Sequence, residues 1–418
     1  MTTDTLQAAC CIVGGGPAGM MAGLLLARAG VRVLVLEKHA DFLRDFRGDT
    51  VHPSTLEILD ELGLYDAFLQ RPHTKAYRLR GRFGRLETTF ADFTHLPTRA
   101  KFVALIPQWD FLDFLATEAR RYPNFDLRMQ AEATALRIAG GKVVGTDVRT
   151  LQGRLEVTCE LVLGCDVRHS TVRREAGLQV QDLGAPMDVL WFRLSRKPTD
   201  PDEPVGSFGA GHILVGINRG DYWQCGFVIA KGTLEALKAQ GLDTIRGAIA
   251  LLAPFLADRT SEILSFDDFR QLTVGVDRLT TWHKPGVLCI GDAADTMSPI
   301  GGVGINLAVQ DAVAAANILA RPLREGRLTD ADLGSVQSRR LRPTQIVQGL
   351  QVQIQRRVIS GVLGSTRQPD PPLPLRLIAR YPILARIPAR LLGLGYRRER
   401  IMEVGREMGT ATGRRQPE

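Results

Sequence analysis

The chain opens on an apolar run, 8–13, that stops at Gly14-Gly15-Gly16-Pro17-Ala18-Gly19 and passes into a stretch rich in Ala, Leu and Met, 18–29. Gly30 closes that stretch as a helix stop, and 31–36 alternates β-branched and apolar residues before Glu37. The pattern predicts strand, turn, helix, strand: one βαβ unit. Helical patterns follow at 53–62, at 107–122 with Trp109, Leu112, Leu115 and Ala119 on one face, at 244–256 and at 304–319. Beyond 328 the chain reads as helices broken by a proline-rich joint at 369–374. Strand patterns predict a hairpin over 77–93 with Gly81 and Gly84 in its turns, a β-meander over 127–163, and a strand-rich block over 189–229. A short buried strand is expected at 287–290. Strand–helix alternation first and a strand block later suggest α/β layers plus a second sheet.

Composition narrows this little. Of 418 residues, 44% are hydrophobic and 23% charged, which excludes a disordered chain, a collagen repeat and a disulfide mini-protein. The charge is more telling. Only eight of the 53 basic residues are Lys, and 371–418 carries ten Arg against four Glu, so six of the eight net positive charges sit in the tail. An anionic partner fits such a tail, either a phosphorylated cofactor or a lipid headgroup; a solvated basic face is the plainer reading. No basic run is interleaved with aromatics, so nucleic acid is not expected.

Cys10, Cys11, Cys159, Cys165, Cys225 and Cys289 form no C-x-x-C pair. They read as buried thiols of a reducing, cytoplasmic compartment. Residues 1–7 show no leader pattern, and no apolar run reaches the roughly 18 residues of a spanning helix. His212 and His283 are isolated, and no metal site is expected.

Gly14-x-Gly16-x-x-Gly19 has the strand before it and the helix after it that a dinucleotide phosphate loop needs. Gly14 permits the tight turn, Gly16 lets the backbone approach a pyrophosphate, and Gly19 lets helix and strand pack. Pro17 and Ala18 open the helix, whose free N–H groups favour phosphate. Glu37, followed by Lys38, sits where a carboxylate accepts ribose hydroxyls and repels a 2′-phosphate. The loop therefore suits FAD or NAD. A second signature, 291–306, separates them. There a buried strand delivers Asp292, and a glycine-rich loop with Pro299, Gly301, Gly302 and Gly304 opens a long helix at Ile305 and Asn306. Asp292 can bond a sugar hydroxyl of an extended cofactor. The helix N–H groups can face the pyrimidine edge of a flavin.

On these residues the chain resembles the class A flavoprotein monooxygenases, the aromatic hydroxylases of p-hydroxybenzoate hydroxylase-like fold. The resemblance extends to Arg47-Gly48-Asp49-Thr50-Val51-His52-Pro53, to Gln108, to Asp277-Arg278-Leu279 and to Trp282. It implies a Rossmann-like FAD-binding domain with an inserted, mostly antiparallel β-sheet substrate domain and C-terminal helices. The expected parts are FAD-binding at 1–75, 98–182 and 275–328, substrate sheet at 76–97 and 183–274, and a helical region at 329–418. Arg47, Gln108 and Asp166 then become further FAD contacts. The implied reaction uses NAD(P)H to reduce FAD, forms a 4a-hydroperoxyflavin with O2, and inserts one oxygen into an aromatic or polyketide-like molecule. Two positions depart from the family. Val167 replaces a glycine after Asp166, and Asp295 stands where His is usual, adding a negative charge near the cofactor. Both bear on nicotinamide use, so an FAD oxidase or dehydrogenase, or a non-catalytic flavin-binding protein, stands as the alternative.

His52 is the candidate base for a substrate hydroxyl, and helix capping or a backbone bond is its other reading. Pro299 is expected at the flavin's reactive edge, with Met297 and Gly301 as substrate contacts. In the second sheet, alternation places Tyr222 and Gln224 on one face and Trp223 and Phe227 on the other. Trp191, Tyr222 and Gln224 are the candidate substrate residues. The tail, with arginines at 376, 380, 386 and 390, covers the core or touches a membrane surface. The working unit is read as a monomer or homodimer.

Overall fold

The computed structural model describes residues 4–43, 50–209, 211–365 and 367–402. Arg47 lies outside them. The core sheet is built on Asp4–Val13, which pairs in parallel with Val33–Glu37 on one side and Gly153–Gly164 on the other. Phe125–Met129 extends the first side and Val287–Cys289 the second, both in parallel. Val33–Glu37 is buried along its whole length, as a strand covered on both faces must be. The helices Pro17–Arg28, Gln108–Ala119 and Gly304–Arg324 lie together against it. In the meander 132–164, Lys142–Thr150 runs antiparallel to the central Gly153–Gly164 strand, and Glu132–Ala139 runs antiparallel to Lys142–Thr150.

The second sheet has seven strands in the order Arg270–Leu272, Met187–Ser195, Tyr222–Ala230, His212–Asn218, Val205–Gly209, Arg78–Phe83 and Leu86–Asp92. The early hairpin thus joins a block more than a hundred residues later, through the sheet's one parallel pair. One face, with Trp223, Cys225, Phe227 and Ile229, packs on Ile245, Ile249 and Leu252 of the helix Leu242–Leu252. On the other face Val189, Ile213 and Val228 meet Ile359 and Val362 from the C-terminal helices.

Several boundaries differ from the sequence pattern. Gly81 lies inside the strand Arg78–Phe83, not in a turn, because a Cβ there would stand 2.9 Å from Gly206 O of the parallel neighbour. Gly84, at φ +59°, makes the turn. The helix expected to 256 ends at Leu252, and Pro254 starts a run of 3-10 turns, Pro254–Glu262. The helix from Gly304 continues past 319 to Arg324. The segment Ile300–Arg324 is long and apolar enough to span a bilayer, yet 83% of its apolar window is buried inside the protein, so it is the core helix.

Candidate active site

The glycine turn is made by steric necessity. Gly14 has φ +106°, and a Cβ on it would lie 2.5 Å from Cys165 O. A Cβ on Gly19 would collide with Gly14 O, so the helix start packs directly on the turn. Gly16 differs. Its Cβ would come no nearer than 4.0 Å to Cys165 O, which leaves open space on that side of the backbone. Pro17 stands at the first helical position, and the first intrahelical bond is Met20 N–H to Gly16 O at 2.9 Å. Glu37 closes the turn from the next strand. Its Oε2 accepts Gly15 N–H at 3.0 Å, and its Oε1 accepts His39 N–H at 3.1 Å and meets His39 Nδ1 at 2.5 Å. Lys38 beside it is exposed.

One glycine brings the two distant signatures together. Gly291, at φ +59°, offers room where a Cβ would be 2.8 Å from Ala18 Cβ and 3.5 Å from Ala308 Cβ. The first helix and the Gly304–Arg324 helix therefore converge on it. Asp292, the next residue, is exposed beside this convergence. The first bond of the late helix is Leu307 N–H to Val303 O at 3.0 Å, so the N–H groups of Gly304, Ile305 and Asn306 are not used within the helix.

The segment after residue 50 clamps this loop. Gly302 O accepts Thr50 Oγ1 at 2.7 Å and His52 Nε2 at 3.0 Å. Ser54 and Thr55 both donate to Asn306 Oδ1, at 2.8 and 2.6 Å. His52 is buried, and burial lowers its pKa to about 4 despite the backbone carbonyls around it. It is the N-cap residue of the helix Pro53–Glu61, but its ring makes no capping bond. Its Nε2–H serves Gly302, and its Nδ1 has no partner among the described residues. Only Nδ1 is left for proton transfer.

Sequence reasoning missed a second clamp. Gln348 Nε2 donates to Asp277 O and Thr296 O at 2.8 and 3.1 Å. Gln351 Nε2 donates to Ser298 O and Ile300 O, both at 2.9 Å, while its Oε1 accepts Ser298 N–H at 3.1 Å. Gln355 Nε2 donates to Ser298 Oγ at 2.8 Å. The helix Asp330–Ile354 passes at Gln355 into a π-turn, Gln355–Ile359, a feature frequent at functional sites. Gln348 and Gln351 thus fix the main chain on both sides of Met297 and Pro299, which are half-buried, and Gln355 fixes the Ser298 side chain between them.

The second sheet brings Trp191, Tyr222 and Gln224 to one face, since Trp191 pairs with Gly226, Arg193 with Gln224 and Ser195 with Tyr222. Trp191 lies over Gly226, where a Cβ would be 3.1 Å from its ring. Its Nε1 is buried with no partner among the described residues, and it packs on the same apolar cluster as Ile300. Gln224 is buried and accepts Arg219 Nε at 3.1 Å. Tyr222 sits under the Arg193 guanidinium, 5.0 Å from it. Trp223 points the other way and donates to Asp200 at 2.9 Å.

A family model described as "FAD binding domain" matches residues 7–349. The 6-methylpretetramide 4-monooxygenase of Streptomyces rimosus is 32% identical over 377 residues, 89% of each chain. The chain belongs to the class A flavoprotein monooxygenases. A rifampicin monooxygenase of Streptomyces venezuelae is 28% identical over 321 residues, which cover 72% of this chain and 61% of that longer one. Among solved structures, an anhydrotetracycline hydroxylase from Streptomyces rimosus superposes with a TM-score of 0.72 at 23% identity, over 94% of this chain and 77% of the other. A p-nitrophenol 4-monooxygenase from Pseudomonas putida gives 0.72 at 20% identity, over 94% and 95%. At those identities the two structures speak for the fold alone.

FAD fits the groups present in this monooxygenase. The turn at Gly16 is open, the N–H groups of Gly304–Asn306 are available, and Gly291 holds the two helix starts together. In the middle signature the Asp166 carboxylate accepts Ser170 Oγ at 2.5 Å and Thr171 N–H at 2.7 Å, capping the helix Thr171–Glu175. Burial raises its pKa although both bonds favour the ionised form. Val167 has no positive φ and is exposed, so the β-branched side chain fits without strain. Asp295 corrects an expectation. It is buried, and burial with the neighbouring Asp311 and Asp292 raises its pKa against the pull of Arg340 and the Thr344 hydroxyl. The surroundings thus work against the negative charge its sequence position suggests. Gln108 begins the helix Gln108–Ala119 and is half-buried. His212 stacks near Phe227, and no metal-binding group of His, Cys, Asp and Glu exists among the described residues.

Proposed function

We propose that this FAD-dependent monooxygenase inserts one oxygen atom of O2 into an aromatic, polyketide-like small molecule, with NAD(P)H as reductant. The observation that carries the reading is the meeting of the Gly14 turn and the late helix start at Gly291, in a chain related along most of its length to a pretetramide monooxygenase. Bound FAD supplies hydride acceptance and O2 activation. The chain's residues do the rest. Gly14, Gly16, Pro17, Ala18 and Gly19 hold the diphosphate, and Glu37 with Lys38 the ribose. Gln108, Arg47 and the Asp166 cap support the cofactor from neighbouring segments, and Asp292 bonds its sugar chain. Gly304, Ile305 and Asn306 present N–H groups where negative charge develops, and Gly302, whose own N–H is bonded to Pro299 O, contacts the cofactor beside them. Pro299, Met297 and Gly301 wall the reacting edge, and Trp191, Tyr222 and Gln224 orient the substrate. His52 acts chiefly by fixing Gly302.

The same reading divides the chain at the boundaries given above, with 76–97 and 183–274 forming the substrate domain. Six buried free thiols support a cytoplasmic protein. Its working unit is a monomer or homodimer. The test is NADH and NADPH consumption by the purified yellow protein, with and without a panel of polycyclic phenols and quinones, with products identified by mass spectrometry. Hydroxylated product formed only with nicotinamide supports the proposal. Turnover without nicotinamide makes the protein an oxidase, and tight binding without turnover makes it a flavin-binding protein.

A further inference from the structure

Between 371 and 398 the chain has six arginines and no acidic residue. This stretch folds as the helix Leu373–Arg380, the turn Pro382–Ala385 and the helix Arg386–Leu394. Its inner side is anchored, since Ala389 and Leu394 are buried in one apolar cluster and Leu375 packs on another. Its outer side is not. Leu373 is 67% exposed, Leu377 42%, Tyr381 55%, Ile383 63% and Ile387 67%. Single exposed apolar residues are ordinary, but five large ones within fifteen positions form a patch that calls for a partner.

On the helix Leu373–Arg380 the arginines sit on the same side as the leucines. Arg376, Arg380, Arg386 and Arg390 are all exposed. Leu373 and Leu377 are four apart, as are Arg376 and Arg380, so an apolar row and a basic row run side by side on one helix face. The partner must therefore be apolar at depth and anionic at its surface. The spacing chooses between a bilayer and a protein. Positions 373, 377, 381, 383 and 387 follow no single helical period, and Pro382 and Pro388 break the run. A rigid groove reads anchors at regular helical spacing, whereas the acyl boundary of a bilayer imposes no register.

We infer that residues 373–390 dock this protein on an anionic membrane surface. The apolar side chains enter the acyl boundary, and the four arginines meet lipid phosphates. The strip also adjoins the site. Arg386, Ile387 and Arg390 line a surface hollow with Leu391 and Gly395. Leu391 and Gly395 also line a cavity that reaches Ile300 and Val303 of the late loop. A docked molecule would thus present the outer mouth of that cavity to the lipid. The inference stands on exposure and charge and does not depend on which substrate is oxidised.

The test is co-sedimentation of the full, FAD-loaded chain with phosphatidylcholine vesicles, neutral or containing a third phosphatidylglycerol. Binding at least about tenfold tighter to the anionic vesicles is expected, and each arginine neutralised in an Arg376→Gln, Arg380→Gln, Arg386→Gln, Arg390→Gln series should weaken it about fivefold. A Leu377→Gln, Ile383→Gln, Ile387→Gln variant should lose vesicle binding while keeping its flavin absorbance and unfolding midpoint. Absence of binding to anionic vesicles would overturn the inference. So would binding that the apolar variant leaves unchanged, which would mark a purely electrostatic contact. A concentration-dependent dimer abolished by the apolar variant, without vesicle binding, would assign the strip to a second copy instead.

Discussion

Gln351 holds Ser298 by both of its main-chain groups: Ser298 N–H donates to Oε1 at 3.1 Å, and Nε2 donates back to Ser298 O at 2.9 Å. The second hydrogen of Nε2 reaches Ile300 O, so the amide is fully used on the loop that carries Pro299. Gln351→Leu would strand two buried backbone groups of Ser298 and the half-buried Ile300 O. At about 1–3 kcal/mol for each unsatisfied group, a loss of at least about 2 kcal/mol in stability is expected, together with weaker FAD retention. Gln351→Glu keeps the acceptor but turns a carboxylate oxygen on two carbonyl oxygens, and it should cost at least as much. Denaturant unfolding and flavin release measure both effects; a Gln351→Leu protein with parental stability would show that the clamp is idle.

The glycine turn makes a sharper prediction. Gly14→Ala places a methyl 2.5 Å from Cys165 O at a φ of +106°, so the turn must open. The protein should purify with little flavin. Asp292→Ala removes an exposed carboxylate and should keep the fold. Loss of one charged hydrogen bond predicts about 10- to 100-fold weaker FAD binding, read by titration of the apoprotein. A fully yellow Asp292→Ala protein would show that the cofactor lies elsewhere.

His52 predicts a pH dependence. Its folded pKa, about 4, lies below the ordinary 6.5 because the ring is buried. Between those values the unfolded chain binds a proton that the native state refuses. Stability is therefore full above pH 6.5 and falls as the pH drops toward 4, by about 2 kcal/mol at pH 5. Urea midpoints at pH 7 and pH 5 test this. His52→Asn should flatten the difference, and an equal slope in both proteins would assign it to other groups.

The second sheet rests on a buried ion pair. Arg259 donates to Asp200 at 2.5 and 3.0 Å, and Trp223 adds a bond at 2.9 Å. Burial alone would raise the Asp200 pKa, yet these bonds hold it down at about 2. Arg259→Met should cost about 3–5 kcal/mol by leaving the carboxylate unpaired, and adding Asp200→Leu should recover part of that. Thermal unfolding of the two variants decides it.

What the sequence made legible was local. The strand, turn and helix around Gly14 and the helix opened by Gly304 each lie within a few residues of their signal. The alternation that turns Trp223 away from Gln224 is equally local, and the structure keeps it. The resemblance assigns 76–97 and 183–274 to one substrate sheet, but the parallel pairing of Val205–Gly209 with Arg78–Phe83 was not legible, because strand partners so far apart leave no local trace. Gly81 was taken for a turn for that reason. The glutamines were missed because polar residues at helical spacing read as a solvent face, while Gln348 and Gln351 are buried against loop carbonyls and Gln355 against the Ser298 hydroxyl. The charge state of Asp295 depends on burial, which no motif reports.

Oxygen transfer is the reaction that defines this enzyme. Its most direct test is turnover of an aromatic polyketide by the FAD-loaded protein with NAD(P)H under isotopically heavy dioxygen. One heavy oxygen atom in the product, with nicotinamide consumed, is the predicted result. A product whose new oxygen comes from water, or a product that gains none, would contradict it.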